Sequence, residues 1–541
     1  MTSSFFAVIR NIKVKLSFQN ADELDKIAIE LAKKQIKRTK LGSKVILDSG
    51  FVYKKSVDAR EKNNILLVYS IAFLIESVVL GIKISGIDII ENCDFEKEFC
   101  FAKYVDKRPL VVGFGPCGMF CALVLAKAGL RPIIIERGDD VDKRTEKVNR
   151  YWTESVLDSN TNVQFGEGGA GTFSDGKLLT RISDKYCRYV LDVFVKHGAP
   201  EEIKYLAKPH IGTDNLRNVV KNIRNEIISL GGEVYFNTQL TGINVDLSGR
   251  ITSVNLKNSQ SIECDCVFLC IGHSARDTVL SLLKQNVSVE PKPFSVGVRI
   301  EHLRQNIDAA LYGDFAGCKA LGAASYTLSA KFDNRAVYSF CMCPGGVVVA
   351  SASDDGQIVT NGMSNFARDG INSNSAIAVS VNTSDYGNTV MGAIEFQESI
   401  ERNAFNLCGG DGTAPIQLVG DFLDGKLNNE PSVVLPTYTG KTKLLSCESV
   451  HPSFVTNALK QGIRKFENDI KGFSDRNSVL TFPETRTSSP VKIPRNDLYL
   501  AYGFKNLYPC GEGAGYAGGI TSAAVDGIRT ALAYLNNQEN I

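Results

Sequence analysis

Neither sign of charge prevails in this chain: 61 lysines and arginines face 59 aspartates and glutamates across 541 residues. That balance argues against a basic nucleic-acid face as the main business, and against an acidic tail. Long apolar runs are also missing. The most hydrophobic stretch, 68–90, is broken by Glu76 and Lys83 and reads as strands rather than a membrane span. The first seventeen residues lack the extended apolar centre of a secretory signal, so the expected location is the cytoplasm. Fourteen cysteines over this length are too few for a disulfide framework, and no zinc-type CxxC knuckles occur. The close pairs Cys117/Cys121, Cys264/Cys266 and Cys341/Cys343 read as buried small hydrophobes. Of five histidines, His197, His210 and His451 have no metal-ligand spacing, and no metal site is expected. What the chain has is a core: 44% hydrophobic against 22% charged residues excludes wholesale disorder. At about 150 residues per domain, its length predicts three or four domains, or two with large insertions.

Residues 1–105 form an expected accessory module of α+β type. Segment 5–18 alternates like a strand, Asn20 and Glu23 have capping-box spacing for a helix to residue 34, and 51–57 and 65–74 read as further strands. The character changes at 106–109. Leu110-Val111-Val112 is a short apolar strand that runs at once into Gly113-Phe-Gly115-Pro116-Cys117-Gly118. A helix of small and straight-chain residues follows and is ended by Gly129. Then Ile133-Ile-Ile135 forms a second strand closing on Glu136. A lone GxGxxG is weak, but strand, glycines, helix, strand and acid in register make a dinucleotide-binding β-α-β unit. Gly113 would permit the tight turn, Gly115 the approach of a pyrophosphate, and Gly118 close helix–sheet packing. The helix N-terminus offers free N–H groups to phosphates. Glu136, 18 residues past Gly118, stands where an acid accepts from ribose hydroxyls and disfavours the 2′-phosphate of NADP.

That unit alone leaves FAD and NAD open. A second glycine cluster lies near the far end: 506–510 is strand-like and leads into Gly511-Glu512-Gly513-Ala-Gly515-Tyr-Ala-Gly518-Gly519-Ile520, with a small-residue helix after it. This pattern resembles the C-terminal flavin motif of FAD enzymes with the glutathione-reductase-type fold. The resemblance implies that Glu512, where Asp is commoner, holds the ribityl chain. It also implies that the helix starting near Gly519 and Ile520 points its positive end at the flavin pyrimidine ring. Gly272, after the strand-like run from Cys264, resembles the strand-and-glycine motif beside the dinucleotide. The run 164–177, with Gly168, Gly169, Gly171 and Thr172, is expected to fold over flavin and pyrophosphate. With Arg137 and Arg144 and the segment Pro483 to Pro490, these features resemble a family of predicted, mostly bacterial FAD-dependent dehydrogenases without assigned substrates. The resemblance extends over nearly the whole chain.

The expected fold is therefore α/β. A discontinuous Rossmann-like FAD-binding domain (106–290 and 496–541) carries an inserted β-rich substrate domain (291–495) and the N-terminal module. The implied function is hydride transfer between a small organic substrate and FAD, with NAD(P)H as a transient donor to the same cavity. No second GxGxxG unit and no CxxC dithiol is present, which disfavours a second nucleotide domain and a dithiol relay. On the substrate side, Arg299 is a candidate carboxylate clamp and His302 a candidate proton shuttle, with Arg486 a further candidate. Period-two alternation puts Arg299 and Glu301 on one face of their strand and His302 on the other. The glycine-rich stretch 409–417 is a candidate lid. Two other readings remain: a structural or regulatory flavin whose N-terminal module recruits a partner, and a plain NAD dehydrogenase. No nucleic-acid partner is expected, and oligomeric state is not legible.

Overall fold

A computed structural model describes residues 5–76, 84–92, 95–99 and 106–539. Segment 77–83, with the break expected at Lys83, lies outside the described residues. The centre is a five-stranded parallel sheet in the order Leu507–Pro509, Val267–Leu269, Leu110–Val112, Ile133–Ile135, Glu233–Tyr235. Two strands far apart in the chain thus flank each other, and the C-terminal segment completes the sheet begun at Leu110. The three strands from Leu110, Val267 and Leu507 are buried throughout. Both faces are covered, so apolar runs rather than alternation encode them. Val111, Ile134, Phe268 and Tyr508 pack on one face beneath the helices Pro116–Lys127, Thr213–Ser229 and Ile520–Glu539. Leu110, Val112, Ile135 and Leu507 face a three-stranded antiparallel sheet built from residues 240–263.

Between the parallel strands Val267–Leu269 and Leu507–Pro509 the chain inserts a seven-stranded sheet. Its order is Ser329–Phe332, Arg335–Cys343, Asn372–Val381, Phe294–Leu303, Val479–Glu484, Ala414–Leu418, Thr442–Leu444. All neighbours run antiparallel except the final pair. Helix Ser453–Asp469 covers part of it, with Val455, Leu459, Ile463 and Phe466 on its buried face.

The N-terminal module is a four-stranded antiparallel sheet, Phe51–Asp58, Leu66–Ile75, Phe5–Lys15, Ile87–Glu91. One helix, Leu24–Lys37, packs on it through Leu24, Ala28, Ala32 and Ile36. The expected capping box does not form. Asn20 turns back to accept from the Ser17 N–H at 2.9 Å, and the helix starts only after Glu23. Nor is the module a loose appendage: its core is continuous with that of the inserted sheet. The Lys55 backbone also pairs with Tyr205 and Ala207 at 2.7 and 2.8 Å. Among the described residues, no helix is long and apolar enough to cross a membrane.

Candidate functional site

The first parallel strand ends at Val112, and the turn after it is shaped by what surrounds each glycine. Gly113 has φ +96°, and a Cβ there would lie 2.4 Å from the Cys270 carbonyl oxygen. On Gly118 a Cβ would strike the Gly113 carbonyl oxygen at 1.9 Å. These two glycines serve the protein's own packing. Gly115 differs: a Cβ there meets nothing closer than the Gly169 Cα at 3.6 Å, and the residue lines a cavity of about 370 Å³. The space in front of it is therefore free for a ligand. Pro116 opens the helix behind, which directs its N-terminal amides to the same space.

Glu136 is buried at the cavity wall, and its carboxylate is already well occupied. Oε2 accepts from the Phe114 N–H at 2.8 Å, and Oε1 from the N–H groups of Gly138 and Gly166 at 3.0 and 2.9 Å. Two carboxylate oxygens offer about four acceptor positions. Three are taken within the chain, which leaves room for about one ribose hydroxyl rather than a bidentate pair. Its main work is to tie the glycine turn to the loop 164–177. That loop closes over the turn: the Gly168 N–H donates to the Phe114 carbonyl at 2.9 Å, and Gly169 packs against Gly115. Gly171 reaches the side chain of Ile520. Asp175 anchors the far end of the loop through Arg368 (3.0 Å from Nε) and Ser364.

The C-terminal segment reaches the same cavity. Glu512, Gly518, Gly519 and Ile520 line the cavity, and the 20-residue helix Ile520–Glu539 starts there. Glu512 Oε1 accepts from the Ser489 N–H at 2.8 Å, whereas Oε2 is buried with no hydrogen-bond partner. Burial pushes this carboxyl up from its ordinary range, against the pull of the Ser489 N–H. An orphaned buried acceptor costs free energy unless a donor reaches it, and a ribityl hydroxyl is such a donor. Glycine cradle, open helix end and orphaned oxygen together fit a long polyhydroxylated dinucleotide such as FAD. We therefore expect Glu512→Gln to weaken FAD binding about tenfold, the loss of about 1.4 kcal/mol of charge-assisted bonding. Titration of deflavinated protein with FAD checks this.

Of the residues singled out in the sequence, Gly113, Gly115, Pro116, Cys117, Glu136 and Arg137 line the cavity on the first side. Gly169, Gly171, Gly272, Glu512, Gly519 and Ile520 do so elsewhere, with Arg486 on the inserted domain's side. The remainder stand behind the wall. Gly118 and Gly511 pack helices and strand ends. Gly168 and Thr172 press against each other, with 2.1 Å from a Gly168 Cβ to Thr172 Oγ1. Arg144 is completely buried, and its guanidinium donates to the carbonyls of Asn162, Val163, Gly166 and Glu167 at 2.6–3.2 Å. It shapes the loop 160–177 and does not face the cofactor space.

Two expected catalytic residues are corrected in the same way. Arg299 is fully buried, with its fork filled by Glu484 at 2.6 and 2.9 Å and by Asn374 at 2.8 Å. No free edge is left to clamp a substrate carboxylate. His302 points to the other side of the strand, where its Nε2 meets the Phe473 carbonyl at 2.8 Å in the sheet's core. Burial pushes its pKa down. It lines no part of the cavity and has no path for a proton. Arg486 does line it, yet its donors reach Glu401, Gln357, Asp354 and Ser353. The candidate lid at 409–417 is also corrected: residues 414–418 are a buried strand, and none of the stretch lines the cavity.

Several residues of the site were not apparent in the sequence. Lys177 and Cys341 reach the cavity, as do Asn361, Glu484 and Thr487. Lys177 is half-buried, and among the described residues its ammonium has neither a hydrogen-bond nor an ion-pair partner. His273 lines the cavity with Nε2 unpartnered, and burial, aided by Arg486 and Arg276, lowers its pKa to about 3. It is therefore neutral near pH 7. Beneath the glycine turn, the sulfurs of Cys117, Cys270 and Cys510 lie within 4.8 Å of one another, all buried. Positions 117, 270 and 510 have no ligand-like spacing; only the adjacency of two strand ends and the start of the helix Pro116–Lys127 unites them.

Known proteins complete this picture. Residues 293–487 match the family described as "FAD-dependent protein, C-terminal domain-like". A protein of Clostridium beijerinckii (strain ATCC 51743 / NCIMB 8052), itself described as "Uncharacterized protein", is 48% identical over 486 residues, which are 89% of this chain and 91% of that one. The chain belongs to this family of FAD-dependent proteins, and its cofactor is FAD. Solved structures resemble it only loosely. CtdE in complex with FAD gives a TM-score of 0.31 at 10% identity, covering 81% of this chain and 89% of that one. The halogenase PltM gives 0.41 at 11%, covering 81% and 71%. The L-amino acid deaminase from Proteus vulgaris gives 0.32 at 12%, covering 80% and 95%. Likenesses at this level assign no reaction.

Proposed function

We propose that the protein is an oxidoreductase that moves hydride between a small organic substrate and FAD. The observation that supports this reading is a shared wall. The inserted region brings Phe340 and Cys341 from its main sheet, Asn361 from the strand Thr360–Met363 and Thr487 from the segment after Glu484 to the cavity that the glycine turn and the Glu512–Ile520 segment also line. A purely structural flavin needs no such second, mixed polar wall at its side. Bound there, FAD supplies two-electron hydride chemistry. The chain's part is to place charge and exclude water. The start of the helix Ile520–Glu539 presents free N–H groups and a positive end, which stabilise negative charge at the cavity. Lys177 offers an unpaired ammonium for an anionic substrate group. His273, held neutral, can accept or donate only one hydrogen bond at Nε2 and is no acid at pH 7.

Among the described residues a single dinucleotide turn occurs, so NADH or NADPH is read as a visitor to the same cavity. Under anaerobic titration with NADH and NADPH, the yellow colour should bleach with one of them, followed by absorbance at the flavin bands. A flavin that stays oxidised with both donors, and with a panel of small organic reductants, would favour the structural or regulatory reading.

A further inference from the structure

The strand Arg335–Cys343 is irregular at its end. It pairs with Asn372–Val381 through Phe340 and Ala376, then skips to Cys343 and Asn374, so three residues on one side face two on the other. Cys341 sits in the bulge with φ +44°, a conformation a residue with a Cβ rarely adopts. In a straight strand, positions two apart lie about 6.6–7 Å from each other, at the outer limit for a disulfide. The bulge turns the Cys343 side chain back onto Cys341: Cys343 Sγ donates to the Cys341 carbonyl oxygen at 3.3 Å. The pair is also asymmetric. Cys341 is half-buried and lines the cavity, whereas Cys343 is buried behind it and does not. Arg299 fastens the bulge by donating to the same Cys341 carbonyl at 3.1 Å.

From this geometry we propose that Cys341 and Cys343 are a redox-active dithiol that exchanges with a small disulfide entering the cavity, Cys341 attacking and Cys343 resolving. Cys341 thiolate attacks one sulfur of R–S–S–R, forms a mixed disulfide and expels one thiolate. Cys343 then gives its proton to that thiolate and attacks Cys341 Sγ, breaking the mixed bond and releasing the second thiolate. The disulfide is reduced to two thiols, and the pair is oxidised by the same two electrons. The charges around Cys341 favour its role. The neighbouring Cys343 side chain comes first, and Lys177 and Arg299 add to it, against burial and Asp175; together they hold the thiol below the ordinary range. Cys343 is held above that range, as suits a resolving thiol that reacts second. This step is complete without the cofactor, so it stands or falls apart from the hydride reading.

Dithiodipyridine is a suitable probe, because each exchange releases a coloured thione. Wild-type holoprotein should release two equivalents from this pair, and the peptide carrying both cysteines should emerge lighter by two hydrogens. Cys341 should react at least about tenfold faster than the half-buried Cys187 and Cys318. The C343S protein should release one equivalent at this peptide and keep a pyridyl adduct on Cys341, while C341S should lose the fast phase and leave Cys343 unlabelled. The proposal is overturned if Cys341 reacts no faster than Cys187 and Cys318, or if wild type accumulates a stable adduct as C343S does. A protein that passes this test yet never bleaches with any hydride donor keeps the dithiol and loses the proposed hydride function.

Discussion

Gly115→Ala protein should fold, melt close to wild type, and purify largely colourless. The expectation rests on the contrast among the three glycines of the turn. At Gly113 and Gly118 a methyl group strikes backbone, at 2.4 and 1.9 Å, so a loss of flavin there would say nothing about phosphates. At Gly115 the backbone is ordinary (φ −79°, ψ −175°), and the new methyl has 3.6 Å to its nearest protein neighbour. The helix start has no side-chain cap at this position, so the direct cost to stability is about 1 kcal/mol or less. The methyl group instead occupies the side from which a pyrophosphate must approach the helix amides. FAD affinity should fall by about 100-fold or more, equivalent to about 2.7 kcal/mol. Flavin content per chain, with circular dichroism as the folding control, measures both halves. Full flavin content in a folded Gly115→Ala protein places the phosphates elsewhere.

Glu401→Gln should be among the most destabilising conservative changes in the chain. Glu401 is completely buried on the helix Val390–Leu407. It accepts from Arg276 at 2.8 and 2.9 Å, from Arg486 at 3.1 and 3.2 Å, and from Thr485 at 2.6 Å. Burial alone would raise its pKa, but the two guanidinium groups outweigh burial and pull it down to about 2. An amide in its place leaves the two buried cations only Glu398, 3.6 Å from Arg276, and the half-exposed Asp354, 3.2 Å from Arg486, as counter-charges. Removing one partner of such a cluster costs about 3–5 kcal/mol. Because the folded pKa lies below the ordinary 4.5, the carboxylate's stabilising contribution is fully present above that value and is lost as pH falls towards 2. The gap in urea midpoint between wild type and variant should therefore be large at pH 7 and begin to narrow below about pH 4.5. A gap under about 1 kcal/mol at pH 7 would contradict the assignment of this cluster as a structural keystone. The same cluster joins Arg276 of the nucleotide-binding part to Arg486 at the cavity wall, so flavin absorbance should shift in the variant as well.

How legible this was follows from the range of each signal. The glycine turn, its strands and Glu136 are local, within 27 residues, and each glycine answers to a neighbour a few positions away. The C-terminal motif was readable for the same reason. The substrate side was not. Arg299 looks like a free cation until Glu484, 185 positions on, is folded against it. Glu401 is an unremarkable helix residue until residues 125 before and 85 after close on its carboxylate. His302 was placed correctly on the opposite face from Arg299, yet alternation cannot say which face meets a cavity and which meets a core. Cys341, expected with its neighbour Cys343 to be a buried small hydrophobe, instead reaches the cavity, and nothing in its sequence neighbourhood or that of Lys177 reports a bulge or an unpaired ammonium. The cap at Asn20 failed for a different reason: its side chain found a closer backbone donor in its own turn, at Ser17.

The central claim is that Gly115 and Glu512, almost four hundred positions apart, hold opposite portions of one FAD molecule. A crystal structure of the yellow protein tests it most directly. The account predicts continuous density for FAD in the cavity, its pyrophosphate at the Gly115 turn and its ribityl chain within hydrogen-bonding distance of Glu512 Oε2. Flavin density that leaves either residue out of contact would contradict it.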